Sequence, residues 1–490
     1  MSPKCWPAWP ARPSARARVR VKAAAQNNFP HRVQTALGNE ALQRALGRAR
    51  TGFQNNRRRA VNQVAEFQRM RSAAREIKNH TLAHLDFYLE QFADAVRANG
   101  GQVHWARTAG EARDTVAGIC SAGGGGKKIA KGKTMVAEEI ELNPALEKAG
   151  HEVTETDLGE YIVQLAGEAP SHIIAPAVHK TRGEVLELFA RHHGAKKRGG
   201  DTAAIVAEAR QVLREKFTGA DIGITGANFL IAETGAIVLV TNEGNGDLCS
   251  CLPPVHIVTA AIEKVLPTLE DLALFLRLLG RSATGQEISN YTTLYAGAKR
   301  EADTDGPREF HLVLLDNGRS AMLGGEFRDM LRCIRCGACL NHCPVYGSIG
   351  GHAYDAVYSG PMGAVLTPLS AGLRAARDLP NACTLNGRCR EVCPVDIPLP
   401  DLLRKHRMRE FEQKLGGARG RLALALWAFF ALRPRLYQAA AGALLYLLKK
   451  PAGRRGALRK FPLAGGWTQS RDLPAPEGKT FLRRWAQGER

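Results

Sequence analysis

The sequence predicts an α/β domain followed by a helical, cysteine-rich segment and a helical, basic extension. Three observations carry this expectation. Strand-like and helix-like runs alternate across residues 101–320, seven of the eleven cysteines crowd into residues 333–393, and the run 398–414 returns to helical spacing among many Lys and Arg. At 490 residues the chain exceeds one ordinary core and is expected to divide. The predicted parts are a basic disordered tail (1–24), N-terminal helices (25–100), the α/β domain (101–320), the cysteine segment (321–415) and the extension (416–490).

Residues 39–99 lack proline, and Leu82, Leu85, Tyr88, Leu89 and Phe92 recur at helical intervals, so long helices are expected there. Gly100 and Gly101 end them, and residues 102–106 read as a short strand. The segments 111–120, 173–175, 184–192 and 202–217 continue an alternation of strand-like and helix-like character. Residues 236–240, with Ile237, Val238 and Leu239 consecutive, form the strongest strand, and the run 254–260 is expected to lie beside it. Spacing over 266–279 is helical, and the character changes after Asp316-Asn317-Gly318, which places the domain boundary within 300–325.

The net charge of +21 would suggest nucleic acid if it were spread over the chain. Residues 1–75 hold sixteen Lys and Arg against Glu40 and Glu66, which leaves the middle of the protein near neutral. With no groove-entering motif, this arm reads as a solvated tail and no nucleic-acid partner is expected. The first 22 residues lack the apolar core of a secretory signal, so they are read as disordered or as a misassigned start, and Cys5 is given no role. No apolar run reaches the roughly 20 residues that span a membrane. Two shorter ones, 422–432 and 439–448, flank Arg433-Pro434-Arg435. Three readings stand for them: buried helices, docking helices for a partner subunit, or amphipathic helices on lipid.

Cys333, Cys336, Cys339 and Cys343 with Pro344 form a C-x2-C-x2-C-x3-C-P run. Three closely spaced thiolates can hold three corners of an iron–sulfur cubane, while the fourth serves another cluster. The second motif is Cys383, Cys389, Cys393 and Pro394, with Asn386 where a further cysteine would complete the pattern. Interlocking gives one cluster Cys333, Cys336, Cys339 and Cys393, and the other Cys343, Cys383 and Cys389. The first is expected to be [4Fe–4S]. The second, one thiolate short, suits [3Fe–4S], or [4Fe–4S] with water, Asn386 or another group on its fourth iron. Its spacing resembles the iron–sulfur subunits of succinate dehydrogenase and fumarate reductase, where it belongs to a [3Fe–4S] site. Zinc is disfavoured, since zinc sites rarely interlock two quartets with proline after each final cysteine. Seven cysteines so arranged imply metal in a reducing compartment rather than disulfides, hence a cytoplasmic protein, with a peripheral place on the inner membrane face as the alternative. The 39 residues between Cys343 and Cys383 exceed what a compact bacterial ferredoxin needs, so an α-helical ferredoxin arrangement is expected.

Outside the cysteines, the stretch from Asp221 through Thr225, Gly226, Asn228, Glu233, Thr234 and Gly235, followed by Asn242-Glu243-Gly244-Asn245-Gly246, is the most distinctive. With Lys131-Gly132-Lys133-Thr134-Met135 and Glu138-Glu139 it resembles the lactate utilization domain. Combined with the cysteine pattern and an extension carrying Gly466-Trp467 and Arg483-Arg484-Trp485, the order of parts resembles the lactate utilization iron–sulfur protein family over residues 25–490. The resemblance implies an electron-transfer subunit of a three-protein complex oxidising L-lactate to pyruvate, other subunits as partners, and an electron acceptor that can be membrane-associated. It also implies a first domain similar to the sugar-phosphate isomerase and coenzyme A transferase group. In that group an acidic residue after a strand can be catalytic, which makes Glu233 and Glu243 candidates beside the plainer reading of a helix cap or turn contact.

Two rivals remain open: an enzyme in the first domain acting on a phosphate- or coenzyme A-bearing substrate through Glu233 or the lysines near 131, with structural clusters, and a redox-sensing module. Gly123 to Gly126 before Lys127 can form an anion nest or a mobile loop. His80 and His84 lack a third placed ligand, and Cys120, Cys249 and Cys251 read as structural thiols. No G-x-G-x-x-G follows a strand, so neither nicotinamide nor flavin has support.

Overall fold

The computed structural model describes residues 29–194, 201–452, 456–459, 471–476 and 478–488; the readings made for residues 1–24, Cys5 and Gly466-Trp467 fall outside them. Four helices come first: α1 (Phe29–Gly38), α2 (Glu40–Asn62), α3 (Phe67–Ala83) and α4 (Leu85–Ala98). Asn39 separates the first two because its carboxamide oxygen accepts the Leu42 amide and caps α2. The buried faces of α3 and α4 carry Phe67, Met70, Leu89, Phe92 and Val96.

Ten strands follow in this part of the chain: β1 (Gln102–Ala106), β2 (Lys128–Lys131), β3 (Glu152–Glu155), β4 (Ile222–Gly226), β5 (Phe229–Ile231), β6 (Ala236–Thr241), β7 (Val255–Ala261), β8 (Val265–Leu266), β9 (Tyr291–Tyr295) and β10 (Glu309–Leu315). Six of them make a wholly parallel sheet in the order β1-β10-β7-β4-β2-β3. The central strands β4 and β7 are nearly continuous runs of buried residues, as expected where helices cover both faces. The other four form a sheet in the order β8-β5-β6-β9.

Two sequence expectations are corrected here. Residues 254–260 do form a strand, but β7 pairs with β4 and β10, whereas β6 pairs antiparallel with β5 and β9 in the other sheet. Residues 173–175 form no strand, because the His172 ring accepts the Ile174 and Ala175 amides at 3.0 and 3.1 Å and folds the chain back. Residues 111–120 lie within the helix Ala109–Ser121, capped by Thr108.

The chain clusters into two compact units, residues 1–408 and 409–490. In the first, the α/β layers and the cysteine segment share one core: Phe229, Phe275 and Leu278 pack in the same cluster as Ile334, Leu340 and Leu402. Helix Gly360–Ala371, with Pro361 in its first turn and Pro368 inside, occupies the long interval between the two cysteine motifs. Helix Leu399–Glu412 leaves the second motif, and its Arg407 donates to the Pro380 and Cys383 carbonyls at 2.8 and 2.5 Å.

The second unit contains helices Ala418–Ala431 and Pro434–Ala452. Leu422, Leu426, Trp427, Leu444 and Leu447 on them are exposed, as is Leu432 between them, which removes the reading of these stretches as buried helices. Among the described residues no helix is long and apolar enough to cross a membrane.

Candidate iron–sulfur centres and an adjoining cleft

The two cysteine motifs fold as matching loops. In the first, Arg335 (φ +58°) and Gly337 (φ +73°) take left-handed conformations on either side of Cys336; in the second, Leu385 (φ +55°) and Gly387 (φ +85°) do so around Asn386. The correspondence extends to hydrogen bonding. The Ala338 amide bonds the Cys336 sulfur, and the equivalent Arg388 amide donates to the Asn386 Oδ1 at 3.1 Å. Asn386 therefore stands at the position of a ligating cysteine, on the exposed side of its loop.

Cys333, Cys336, Cys339 and Cys393 all line one small cavity, together with Ile173, Met362 and Ile397. Cys343, Cys383 and Cys389 lie within mutual electrostatic range, and Cys389 also faces Cys339, which sets the two cages side by side. None of the seven is in a disulfide. Backbone amides already point at sulfur: Tyr346 N to Cys343 at 3.4 Å, Leu385 N to Cys383 at 3.3 Å and Ile397 N to Cys393 at 3.4 Å. Burial pushes the Cys336 and Cys389 thiols up to about 12 and Cys393 up to about 11, so charge on these sulfurs requires a metal partner.

Spacing separates a cluster from a single ion. Four sulfurs at 2.3 Å around tetrahedral zinc would stand roughly 3.8 Å apart. No three of the seven sulfurs lie within 4.8 Å of one another among the described residues, although four share a cavity. These cages fit polynuclear iron–sulfur clusters.

Six cations surround the first cage. Arg57 and Arg71 donate to the Val392 and Cys393 carbonyls at 3.1 and 2.8 Å, and Arg332 to the Asp396 carbonyl at 3.1 Å. Lys78, Lys264 and Arg335 face Cys333. Burial lowers Lys78 and Lys264 to about 8. Around the second cage the buried neighbour is instead the Tyr354 hydroxyl, which bonds the Cys343 sulfur.

An ion ladder joins the first cage to the α/β layer. Glu139 pairs with Arg319 at 2.7 Å and accepts the Tyr358 hydroxyl at 2.7 Å; Arg319 reaches Glu263 at 2.7 Å, and Glu263 reaches Arg335 at 3.0 Å. Arg335 also lies over the Tyr358 ring, 4.8 Å from its centroid. Despite its burial, Glu139 is held down at about 2 by Arg319 and its hydrogen bonds.

A cleft opens at the carboxyl ends of β2, β4 and β7, the usual ligand position in a parallel sheet. Its walls include Lys133, Asn228, Glu243, Lys264, Arg335 and Tyr358. Gly223 permits the close approach of β4 to helix Asn245–Cys251 behind it, since a Cβ there would fall 1.7 Å from the Cys249 carbonyl oxygen. Glu243 accepts the Leu158 amide at 3.1 Å, and its crowded surroundings and Asp157 raise its carboxyl above the usual range. Glu233 is not on this cleft: its carboxylate accepts the Leu269 amide at 2.6 Å and caps helix Leu269–Ala283.

The lysines near 131 divide. Lys131 is wholly buried and paired with Glu155 at 2.7 Å, while Lys133 reaches the cleft and donates to the Ile174 carbonyl at 2.6 Å. His80 bonds the Tyr88 hydroxyl at 2.8 Å and belongs to no metal-binding group among the described residues. Cys120 and Cys249 are buried, and Cys249 lies 3.2 Å from the Thr156 hydroxyl. Lys264, Arg335 and Tyr358 were not singled out from the sequence. The available signal was the charged pair Glu263-Lys264, one residue past the end of a buried strand.

Residues 89–315 match the LUD domain and residues 329–397 the 4Fe-4S dicluster domain. The chain is 43% identical over 462 residues to lactate utilization protein B of Lysinibacillus sphaericus (strain C3-41), covering 94% of this chain and 96% of the relative. The chain belongs to the lactate utilization protein B family. The protein of that name from Shouchella clausii (strain KSM-K16) is likewise 43% identical over 459 residues, with 93% and 96% covered. Family membership and the dicluster match support iron–sulfur clusters and a role in lactate utilization. A crystal structure of a DUF162 family protein from Deinococcus radiodurans aligns with 47% of this chain and 98% of its own at 16% identity, but its TM-score of 0.25 carries no argument.

Proposed function

We propose that this protein is the iron–sulfur electron-transfer subunit of a complex that oxidises L-lactate to pyruvate. The observation that carries the reading is the pair of adjoining cages, Cys333, Cys336, Cys339 and Cys393 beside Cys343, Cys383 and Cys389, joined through the approach of Cys389 to Cys339. Bound clusters supply one-electron chemistry. The chain's own residues orient and insulate them: Arg57, Arg71 and Arg407 clamp the motif carbonyls, and the apolar core excludes water.

Within this reading the first cluster is [4Fe–4S] on four thiolates, and the second is either [3Fe–4S] or a [4Fe–4S] cluster whose fourth iron faces Asn386 or water. The matching loop geometry of Asn386 and Cys336 supports an open corner at Asn386. The α/β layers are read as similar to the sugar-phosphate isomerase and coenzyme A transferase group. The other subunits of the complex are the partners, and the exposed apolar faces of helices Ala418–Ala431 and Pro434–Ala452 favour their docking. The protein is placed in the cytoplasm, or at the inner membrane face where the acceptor is membrane-bound.

Growth tests the role. A strain lacking this protein should lose growth on L-lactate and keep growth on pyruvate, and Cys339→Ser should fail to restore it. Restoration by Cys339→Ser would remove the electron-transfer reading.

A further inference from the structure

Glu168, His179 and His352 are, among the described residues, the one group of three His, Cys, Asp or Glu side chains whose donor atoms lie within 4.8 Å of one another. Three separate segments supply them. Glu168 follows helix Leu158–Ala166 through Gly167, whose left-handed φ of +65° turns the chain. His179 precedes helix Arg182–His192, which starts at a capping box between Thr181 and Glu184. His352 lies in the interval between the two cysteine motifs, next to Gly351. That glycine permits the approach, since a Cβ there would fall 1.8 Å from the Ser171 carbonyl oxygen.

The donors are already oriented by their neighbours. His352 Nε2 donates to the Ala169 carbonyl at 2.7 Å, so this nitrogen carries the proton and Nδ1 keeps a lone pair. The His179 side chain is only 8% exposed, and its Nε2 lies 2.7 Å from Glu168 Oε2. Lys180 holds the other carboxylate oxygen, Oε1. Its charge is offset by Glu184, which lines the same cavity and faces both Lys180 and His179. The rings of His179 and His352 meet edge to face, 4.5 Å between centroids.

We propose that Glu168, His179 and His352 bind a divalent transition-metal ion, with two imidazoles and one carboxylate as its protein ligands. Zinc and ferrous iron both take this donor set and keep further positions for water or an anion. The adjoining cavity, about 290 Å³, has room for such a group. Donors at 2.0–2.1 Å from zinc stand about 3.3 Å apart, so the ion replaces the proton between His179 and Glu168, which leaves to solvent, and widens that contact slightly. Once bound, it ties the segment running to Ile173, a wall of the first cage, to the interval between the cysteine motifs. The inference goes beyond the electron-transfer reading and needs neither lactate nor a partner subunit.

The test uses the full-length, cluster-loaded chain under anaerobic conditions, incubated with Zn²⁺ and desalted. Zinc is counted by mass spectrometry and its ligands are read by X-ray absorption at the zinc K-edge. One zinc per chain is expected, in a shell of nitrogen and oxygen at about 2.0–2.1 Å. His352→Ala, at an exposed position, should weaken zinc binding at least about tenfold and leave the cluster absorption unchanged. His179→Asn should do the same and serves where His352→Ala does not fold. No retained zinc would reduce the group to a hydrogen-bonded histidine–glutamate pair and overturn the proposal. A sulfur shell at about 2.3 Å would put the ion in a cysteine cage and overturn it too, as would undiminished binding in both variants. Growth on lactate can fail while zinc binding persists, so the two readings fall separately.

Discussion

Glu263, two residues past the end of β7, accepts the Arg335 guanidinium at 3.0 Å, and Arg335 stands between two cysteines of the first cage. The end of a central strand and the first cluster loop are thus tied by one buried ion pair.

The matched loops make Asn386→Cys an informative change. The new thiol should take the position that Cys336 holds in the first loop and give the second cage four thiolates. Electron paramagnetic resonance should then show any [3Fe–4S] signal replaced by a second [4Fe–4S] signal on reduction. An unchanged spectrum, with the added thiol free to react with an alkylating agent, would contradict the placement of the open corner.

Cys393 lies in the second motif but lines the first cage. Cys393→Ser should therefore degrade the first cluster and leave the second intact, as read by iron content and low-temperature spectra. Loss of the second cluster alone would break the interlocked assignment.

The cations around the first cage should raise its reduction potential. Lys78 is buried, faces Cys333, and donates to the Glu263 and Val265 carbonyls. Removing one charge at this range by Lys78→Met should lower the potential of the first cluster on the order of 50 mV, at an effective dielectric near 20. The second cluster should shift far less. A redox titration followed by spectroscopy distinguishes them, and equal shifts would argue against a local charge effect.

Glu139 supplies the pH dependence. Its carboxyl is held down to about 2 by Arg319, so its contribution to stability is fully present above the ordinary carboxylate value and is lost as pH falls through the folded value. Glu139→Gln should cost about 3 kcal/mol at neutral pH. The gap between the two proteins in denaturant should close as pH falls from about 4.5 to 2. A gap that stays constant with pH would mean that packing, not charge, dominates at this position.

What the sequence made legible follows from the range of the interactions. The cysteine pattern is local: both loops span a dozen residues, and ligand spacing is itself the signal. Helices α2 to α4 were readable from apolar spacing for the same reason. The partner of β7 was not, because choosing β4 and β10 over β6 is a pairing decision among distant segments that strand composition does not encode. Residues 173–175 looked like a strand, but one histidine ring captured the two amides that pairing would have used. The cleft was invisible in the same sense. Lys133, Lys264 and Arg335 come from three separated segments, and only Lys133 stood in a stretch the sequence singled out; the fold brings them onto one cleft. Of the two acidic candidates, Glu243 lies on the cleft and Glu233 caps a helix; they follow β6 and β5, neighbours in one sheet whose antiparallel course sends their carboxyl ends in opposite directions.

The most direct measurement is electron paramagnetic resonance with iron and sulfide analysis on anaerobically purified protein. Spectra would be taken as isolated, after dithionite, and after L-lactate in the presence of the partner subunits. The account predicts two iron–sulfur clusters with distinct signals, both reduced by dithionite and at least the first by lactate with partners. Two clusters that dithionite reduces but lactate with partners never does would contradict it, and would leave the clusters a structural role or a different electron donor.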